Sequence, residues 1–324
     1  MPTSIRSFAK INLGLKIGPA RSDGFHDLRT IYQTIALHDV ISVDVRRGTG
    51  IEIRCEHPRV PRDKSNTCYR VGERVMRRLH GRGRLVIQIE KQLPVQGGLG
   101  AASSNAVAAL VGLERELGVQ LESEDRLRIA AEVGSDLPLF LIGGTVLGVD
   151  RGQEVYGLQD LPTLNLVILT PAIGVSTPKA FADWDALIAR EPELTHAGAA
   201  GTINTFSEAV YTWLSRGFLS SGVPAASGDR AETPLLDLVR AGIENDFERV
   251  VFPEHPELRE AKRVLEREGA RYASLSGSGS TLYGLFASAA EASAAAQRIS
   301  EAGYSAVATT SLGREEYWKA LASG

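Results

Sequence analysis

Residues 94–110 read Pro-Val-Gln-Gly-Gly-Leu-Gly-Ala-Ala-Ser-Ser-Asn-Ala-Val-Ala-Ala-Leu and decide how the chain is interpreted. Gly97, Gly98 and Gly100 remove side chains from the first half of this stretch, so a ligand can approach the backbone closely. A strand is predicted immediately before it, over residues 85–93, where β-branched and apolar residues alternate with polar ones. The stretch therefore predicts a glycine-rich connection between a strand and a helix.

The helix that follows is expected to present its N-terminus to a ligand. Ser103 and Ser104 stand where the helix is predicted to begin, residues 105–117 are strong helix formers, and Gly118 supplies a stop. Free N–H groups and the positive end of the helix dipole favour an anion at such an end. The two hydroxyls can add hydrogen bonds or a magnesium contact, so we expect a phosphate site here.

Two common phosphate motifs are excluded by spacing. No Gly-Lys-Ser/Thr follows the glycines, as a P-loop requires, and the glycines do not have the intervals of a dinucleotide-binding fingerprint. The alternative interpretation is a tight strand-to-helix connection whose small residues serve packing alone. Paired serines at a helix start favour the phosphate site.

The composition is that of an ordinary globular enzyme. The chain has 324 residues, of which 43% are hydrophobic and 23% charged, enough for a sizeable core and about two domains. We expect an N-terminal lobe over residues 1–155 and a C-terminal lobe over 156–324. A net charge of −3 provides no general basic field for nucleic acid.

Nothing in the sequence predicts export or membrane insertion. The N-terminus lacks the apolar run of a signal peptide, and no stretch approaches the roughly 20 apolar residues of a membrane span. Cys55 and Cys68 are too few for a disulfide framework and lack the spacing of a structural zinc site. We expect a cytoplasmic protein with a small-molecule substrate, present as a monomer or weak homodimer.

Strands and helices are mixed in blocks, which favours an α+β fold. Strands are predicted over residues 7–17, 27–35, 39–45, 50–54, 145–149, 165–170, 272–275, 281–286 and 305–309. Helices are predicted over residues 66–79, 123–133 (with Ser123 as its cap), 258–268 and 291–302. Residues 190–235, rich in Ala, Gly and Ser, are expected to form an exposed or mobile excursion.

A second glycine element, Ser274-Leu-Ser-Gly-Ser-Gly-Ser-Thr-Leu282, lies far along the chain. It fits a hairpin turn, but serine-flanked glycines can also lie against an anion. Two such loops in one chain favour phosphate handling more than either loop alone.

Two charged residues are candidates for chemistry on a phosphoryl group. Lys10 lies within a strand pattern, where a lysine usually points to solvent; facing a pocket, it can stabilise a phosphoryl group. Asp136, in Gly134-Ser-Asp-Leu-Pro138, is either a capping aspartate or a general base for an attacking hydroxyl. Phe25 and His26 follow a turn and suit recognition of a planar base, although His26 also fits a surface position.

Taken together, residues 94–104, 134–138 and 275–281 resemble motifs of the GHMP small-molecule kinases. Residues 7–13, 23–26 and 98–105 are similar to those of the family members that phosphorylate the 2-hydroxyl of a cytidylyl-methylerythritol in isoprenoid precursor synthesis. The resemblance spans nearly the whole chain in the expected order. It implies a two-lobed α+β fold that binds ATP with Mg²⁺ and holds the substrate in the cleft between the lobes.

The resemblance also implies roles for individual residues. Asp136 matches the general base and Lys10 its charged partner. Phe25 and His26 match cytosine-recognition positions, Phe181 the opposite stacking face, and Asn12 a contact to methylerythritol. The ATP site is implied for Pro94, Val95, Gln96, Gly97, Gly98, Leu99, Gly100, Ala101, Ala102, Ser103 and Ser104, closed by Gly277, Ser278 and Gly279.

The sequence departs from the family pattern in three places. Ala101 and Ala102 stand where glycines are usual, Phe25 stands where a tyrosine is frequent, and the segment over residues 190–235 is longer than the family needs. Two other functions stay open: a homoserine or mevalonate type of kinase, and a non-catalytic sensor of the same ligands. The Phe25-His26 pair and Phe181 favour a cytidine-bearing substrate over the first, and Lys10 with Asp136 argues against the second.

Overall fold

Two long antiparallel strands form the centre of the structure. The computed structural model describes residues 2–191 and 244–322. Strand β1 (Thr3–Ala20) pairs along its length with β2 (His26–Arg46), and the register shifts between Phe8 and Ala9, between Asn12 and Gly14, and between Ile17 and Ala20. The β2 strand merges the two strands predicted over residues 27–35 and 39–45.

The remaining strands of the first sheet lie on the other side of β2. They are β3 (Ile51–Cys55), β4 (Arg84–Glu90), β5 (Thr145–Val149) and β6 (Glu154–Gly157). The order is β3-β4-β2-β5-β6, with β1 paired to β2. The β3–β4 pair is parallel and the others are antiparallel. The predicted strand over 85–93 therefore ends at Glu90.

Helices α1 (Thr67–Arg78) and α2 (Ala101–Leu117) pack on strands of this sheet. Helix α3 (Ser123–Val133) packs on α1 and on the short α4 (Leu137–Phe140), which contacts β6. Helix α2 is buried over most of its length, because Ala, Val and Leu cover all its faces and it lies between the sheet and α1. Apolar residues of these elements form one continuous core.

The second sheet is antiparallel and has the order β10-β7-β9-β8. Its strands are β7 (Asn165–Leu169), β8 (Tyr272–Leu275), β9 (Leu282–Phe286) and β10 (Ala306–Thr310). The helices of this part are α5 (Thr177–Arg190), α6 (Glu248–Glu254), α7 (Pro256–Arg267) and α8 (Ala289–Glu301), followed by α9 (Arg314–Ala322). The α+β prediction is confirmed.

Side chains on one face of β1 lie in the hydrophobic core, and side chains on its other face belong to the candidate site. Ala9, Ile11 and Leu13 are buried in a core shared with strands of the second sheet. Since successive side chains of a strand point to opposite faces, Lys10 and Asn12 project together on the other side. One face of β1 thus packs against the second sheet, and the other face presents two polar side chains.

Several local predictions were wrong. Helix α2 begins at Ala101, just before Ser103 and Ser104, where its start was predicted, because alanines are themselves good helix formers. Ser123 is the first helical residue of α3 and not its cap, which is Glu122. Helices α4, α5, α6 and α9 and strand β6 were not predicted. The predicted excursion over 190–235 lies outside the described residues from position 192 onward.

Helix α9 packs against the first sheet although it follows the second along the chain. Tyr317 and Leu321 are buried in the first core. The Tyr317 hydroxyl donates to the Phe140 carbonyl at 2.8 Å, and the Trp318 indole N–H donates to the Ile142 carbonyl at 2.9 Å. The division into lobes at residue 155 stays a prediction; α9 packs with the residues before that position.

The entry to the glycine stretch is fixed by one buried carboxylate. Asp39 is fully buried and accepts hydrogen bonds from the backbone N–H groups of Gln92 and Leu93, both at 2.7 Å. Its other oxygen accepts from Lys91 Nζ at 2.7 Å and from Asn105 Nδ2 at 2.9 Å. The carboxylate therefore ties the end of β4 to the first turns of α2, on both sides of the glycines.

We expect Asp39→Ala to lower the free energy of unfolding by about 3–5 kcal/mol, because it leaves a buried Lys91 charge without a partner. Urea denaturation followed by circular dichroism measures this. Asp44→Ala is the control, since Asp44 pairs with Arg46 at the surface, where a salt bridge is worth about 0–1 kcal/mol. Equal losses in the two variants would contradict the role given to Asp39.

Candidate active site

The two glycine elements pack directly against each other. A methyl group on Gly98 would lie 2.2 Å from the Ser276 carbonyl oxygen, and one on Gly279 would lie 2.5 Å from the Gly98 nitrogen. The Ser276 hydroxyl donates to the Gly98 carbonyl at 3.0 Å, and the Thr281 N–H donates to the Gly97 carbonyl at 3.1 Å. These backbones can touch only because neither loop carries a Cβ at the contact.

Helix α2 begins without a side-chain cap. Gly100 occupies its N-cap position with φ +67°, and no side chain bonds the N–H groups of the first turn. Ala102 is exposed and Ser103 half-buried on the cavity side, whereas Ser104 is buried and its hydroxyl accepts from Ser7 at 2.7 Å. The structure thus brings the helix N-terminus and Ser103 to the cavity, and turns the Ser104 hydroxyl into the protein.

A first cavity of about 490 Å³ lies along this loop. One wall comes from the residues before and within α1. The other wall is the predicted phosphate loop, of which Pro94 to Ser103 line the cavity. The remaining lining residues are Arg59, Val60, Pro61, Ser65, Asn66, Thr67, Cys68, Ile89, Lys91, Asn105, Asp136 and Thr177.

Lys10 is buried beside Asp136. Its side chain is 4% exposed, and its Nζ lies 3.5 Å from Asp136 Oδ2. Nζ also donates to Asn12 Oδ1 at 2.6 Å, while Asn12 Nδ2 donates to the Thr30 hydroxyl at 2.7 Å. The Asn12 amide is thus engaged by its neighbours and orients the ammonium group.

Asp136 stands at the N-cap position of α4 but makes no capping hydrogen bond. Its carboxylate is 34% exposed and instead accepts from the Tyr32 hydroxyl at 3.2 Å. Burial, and then the neighbouring Asp136 charge, raise the pKa of Tyr32 well above 10. The phenol therefore stays protonated and donates to the carboxylate.

A second cavity of about 650 Å³ opens on the other side of Asp136. Lys10, Asn12 and Tyr32 line its floor, together with Gly277 and Ser278 of the second glycine element. Four residues line both this cavity and the first: Gly98, Gly100, Asp136 and Thr177. Ligands in the two cavities would therefore meet at Asp136.

The far wall of the second cavity is aromatic. The His26 ring stacks on Phe181, with centroids 5.0 Å apart and planes at 15°, and His26 Nε2 lies 2.7 Å from Asp185 Oδ1. The Phe181 ring also packs edge-on against Phe247 at 5.0 Å. One face of Phe181 is therefore covered by His26 in this structure.

Phe25 and Arg151 stand at the mouth of this cavity. The Phe25 ring is 50% exposed, and the Arg151 guanidinium lies 4.8 Å from its centroid. Arg151 Nε is buried and has no hydrogen-bond partner. An unpaired buried donor costs free energy, so an anion at this point would be stabilised.

Tyr32, Arg151 and Thr177 are among the lining residues that the sequence did not predict. Tyr32 and Arg151 lie in a strand and a turn without any motif, so no local signal marks them. Thr177, whose hydroxyl lies 2.7 Å from that of Ser278, follows Ser176, which caps α5. The pattern Ser176-Thr-Pro178 is a helix-start signal that could have revealed α5.

Comparison with known proteins fits this geometry. Residues 66–144 match the family described as GHMP kinases N terminal domain, and residues 231–305 match GHMP kinases C terminal. A 4-diphosphocytidyl-2-C-methyl-D-erythritol kinase of Solibacter usitatus is 37% identical over 284 residues, covering 87% of this chain and 80% of that protein. The enzyme of the same name from Moorella thermoacetica is 34% identical, covering 95% and 99%.

This chain belongs to the 4-diphosphocytidyl-2-C-methyl-D-erythritol kinase family. It is an ATP-dependent small-molecule kinase of the GHMP class, as the sequence motifs predicted.

Solved structures agree with membership in this kinase family. A crystal structure of 4-(cytidine 5'-diphospho)-2C-methyl-D-erythritol kinase is similar with a TM-score of 0.73 and 26% identity, covering 96% of this chain and 100% of that one. An L. major mevalonate kinase is similar with a TM-score of 0.70 at 18% identity, over 96% of each chain. The second likeness shows the shared fold alone.

Two features are absent from the described part of this kinase. None of the helices placed in residues 2–191 and 244–322 is both long and apolar enough to cross a membrane. Over the same ranges, no group of three His, Cys, Asp or Glu side chains could hold a metal ion by itself.

We expect Gly98→Ala to separate the two glycine loops, because the added methyl group would collide with the Ser276 carbonyl. If separating the loops removes about 1.4 kcal/mol of the binding free energy, the affinity for the nucleotide falls about tenfold. Isothermal titration with an ATP analogue measures the change.

Gly118→Ala is the matched control for this variant. Gly118 also has a left-handed φ, +63°, but no atom lies within 4 Å of the added methyl group. The control should lose about 1–2 kcal/mol of stability from backbone strain and bind nucleotide normally. Wild-type nucleotide affinity in Gly98→Ala would contradict the steric argument.

Proposed function

We propose that this protein transfers the γ-phosphoryl group of ATP to the 2-hydroxyl of 4-diphosphocytidyl-2-C-methyl-D-erythritol, a step in isoprenoid precursor synthesis. One observation carries the mechanism: Asp136 lies where the two cavities meet, with Lys10 Nζ 3.5 Å away. The names of the relatives support the choice of acceptor.

The nucleotide occupies the first cavity, with its phosphates against residues 94–104. The uncapped N–H groups at the start of α2 and the helix dipole bind phosphate oxygens. Gly277, Ser278 and Gly279 close the site from the other side. Mg²⁺ bound with the nucleotide would take its ligands mainly from phosphate oxygens, Ser103 could add a protein oxygen, and the ion would neutralise phosphate charge.

Asp136 and Lys10 act at the attacking hydroxyl. The Asp136 carboxylate takes the proton of the 2-hydroxyl, whose oxygen forms a bond to the γ-phosphorus as the bond to the ADP oxygen breaks. The Lys10 ammonium offsets the negative charge on the transferred group. The Tyr32 hydroxyl and the Lys10–Asn12 hydrogen bond hold these two groups in place.

The second cavity binds the acceptor. Its volume falls within the range usual for small-molecule sites. Phe25, His26 and Phe181 recognise the cytosine ring by stacking and hydrogen bonding. Because His26 covers one face of Phe181, the cytosine either stacks on the other face or takes the place of His26. Arg151 pairs with the diphosphate, because its buried Nε lacks a partner and its charge complements that group. Asn12 contacts the methylerythritol end.

The surroundings of the reaction follow from the same proposal. Every substrate is a small polar molecule, which suits an enzyme of the cytoplasm. Cys55 and Cys68 are free and buried, consistent with a reducing compartment. The monomeric or weakly dimeric state stays a prediction, as does the absence of a nucleic-acid partner.

The experiment that tests the function is ADP release from the purified protein with MgATP. Three acceptors are compared: the cytidylyl-methylerythritol compound, homoserine and mevalonate. Turnover with the first alone supports the proposal. Turnover with another alcohol would replace the acceptor, and ligand binding without turnover would favour a sensor.

We expect Asp136→Asn to lower kcat by roughly 10²–10⁴-fold, the usual contribution of a general base, while ATP still binds. Steady-state kinetics and titration with an ATP analogue measure the two quantities. Asp183→Asn is the control, because Asp183 pairs with Lys179 outside both cavities. A near-normal kcat in Asp136→Asn would remove Asp136 from the base role.

We expect Arg151→Leu to raise the KM of the acceptor about tenfold or more, since a charge-assisted hydrogen bond contributes about 1.5–3 kcal/mol. The KM of ATP should not change. Arg151→Lys should recover part of the loss, and the exposed Arg190→Leu should have no effect. Unchanged acceptor KM in Arg151→Leu would show that the diphosphate binds elsewhere.

A further inference from the structure

A buried asparagine outside both cavities holds the second glycine loop. Asn245 is 2% exposed. Its Nδ2 donates to the Leu275 carbonyl at 2.8 Å and to the Gly277 carbonyl at 2.7 Å. Its Oδ1 accepts from the Phe247 N–H at 3.1 Å. Both amide hydrogens are therefore spent on the backbone of the loop.

The segment that carries Asn245 is itself fixed to β1. The Leu15 N–H donates to the Glu244 carbonyl at 3.0 Å, and the Asp246 N–H donates to the Leu15 carbonyl at 2.9 Å. The buried Asp246 carboxylate also accepts from Lys16 Nζ at 2.9 Å and from the Ile17 N–H at 3.0 Å. Asn245 thus projects from a segment that is hydrogen-bonded to β1, the strand that also carries Lys10 and Asn12.

Gly277 is the point at which the loop approaches the catalytic groups. Its φ is +61°, and a methyl group on it would lie 3.3 Å from Asn12 Oδ1 and 3.6 Å from Lys10 Nζ. The Gly277 carbonyl is drawn to Asn245, away from the second cavity, which Gly277 and Ser278 line. In a trans peptide the C=O and N–H point in opposite directions. The Ser278 N–H therefore points away from Asn245, which does not line the second cavity, whereas Ser278 does.

We propose that Asn245 is a positioning residue for phosphoryl transfer: it orients the Gly277–Ser278 peptide so that the Ser278 N–H faces the transferred group. A preorganised N–H aimed at developing charge stabilises a transition state more than a ground state. This inference rests on the proposed kinase reaction, but it does not depend on which alcohol is the acceptor.

The test compares Asn245→Ala and Asn245→Asp with Asp246→Asn. The aspartate keeps the size of the side chain but removes the two donated hydrogens. Because loss of one such donor costs about 10²–10³ in kcat, we expect both Asn245 variants to lose at least about tenfold in kcat with little change in either KM. Asp246→Asn keeps the two backbone hydrogen bonds to Leu15 that hold this segment, so it should lose thermal stability from the weakened Lys16 ion pair and keep kcat.

Hydrogen exchange of the substrate-free enzyme gives a readout that needs no turnover. Peptides covering residues 275–279 should exchange faster in both Asn245 variants and normally in Asp246→Asn. If Asn245→Ala does not fold, Asn245→Ser retains one donor and should give an intermediate kcat.

Two outcomes would overturn the inference: wild-type kcat in a folded Asn245 variant, or equal kcat losses in the Asn245 and Asp246 variants, which would mean general destabilisation. Failure of the wild-type enzyme on the cytidylyl acceptor would instead refute the proposed acceptor. The comparison of variants then uses whichever alcohol the enzyme accepts.

Discussion

The rest of the site depends on the backbone contact between the two glycine loops. Gly98 and Ser276 are separated by 178 positions, yet the Ser276 hydroxyl bonds the Gly98 carbonyl and the two backbones leave no room for a Cβ. This contact brings the start of α2 and the end of β8 together above β1. The two cavities share the lining residues Gly98, Gly100, Asp136 and Thr177, so a group can pass from one ligand to the other beside Asp136.

Burial of Lys10 imposes the second constraint. Taking an ammonium group out of water is costly unless charge and hydrogen bonds compensate it. Asn12 supplies a neutral acceptor and Asp136 a charged one, while the Tyr32 ring lies 5.4 Å from Nζ. Because Asp136 is partly exposed, an anion bound beside it can also offset the charge of Lys10, and Lys10 does not have to move. The site is therefore electrostatically prepared before any substrate arrives.

The sequence predicted the parts of this molecule that are local. The strand around Lys10 and the glycine loop were recognisable because period-two alternation and clustered glycines leave a signal within about ten residues. Asn245 could not be found in this way, since its role exists only once two distant segments fold against it. Arg151 was missed for the same reason. Few residues of α9 are buried, so its sequence has no strong helical repeat of apolar residues. It could not be predicted from the sequence because its packing depends on the tertiary structure.

Helix α9 also constrains how the polypeptide reaches its native state during translation. Tyr317 and Leu321 complete a hydrophobic core whose earliest member along the chain, Ile5, is synthesised long before them. Until the residues around 317–321 leave the ribosome, the first sheet lacks the cover that α9 provides, and its apolar surface stays available to chaperones. A fold dominated by such long-range contacts closes late, because loop closure must precede the contacts that stabilise it. The N-terminal half is therefore not expected to fold on its own during synthesis, because α9, which completes its core, lies near the other end of this sequence.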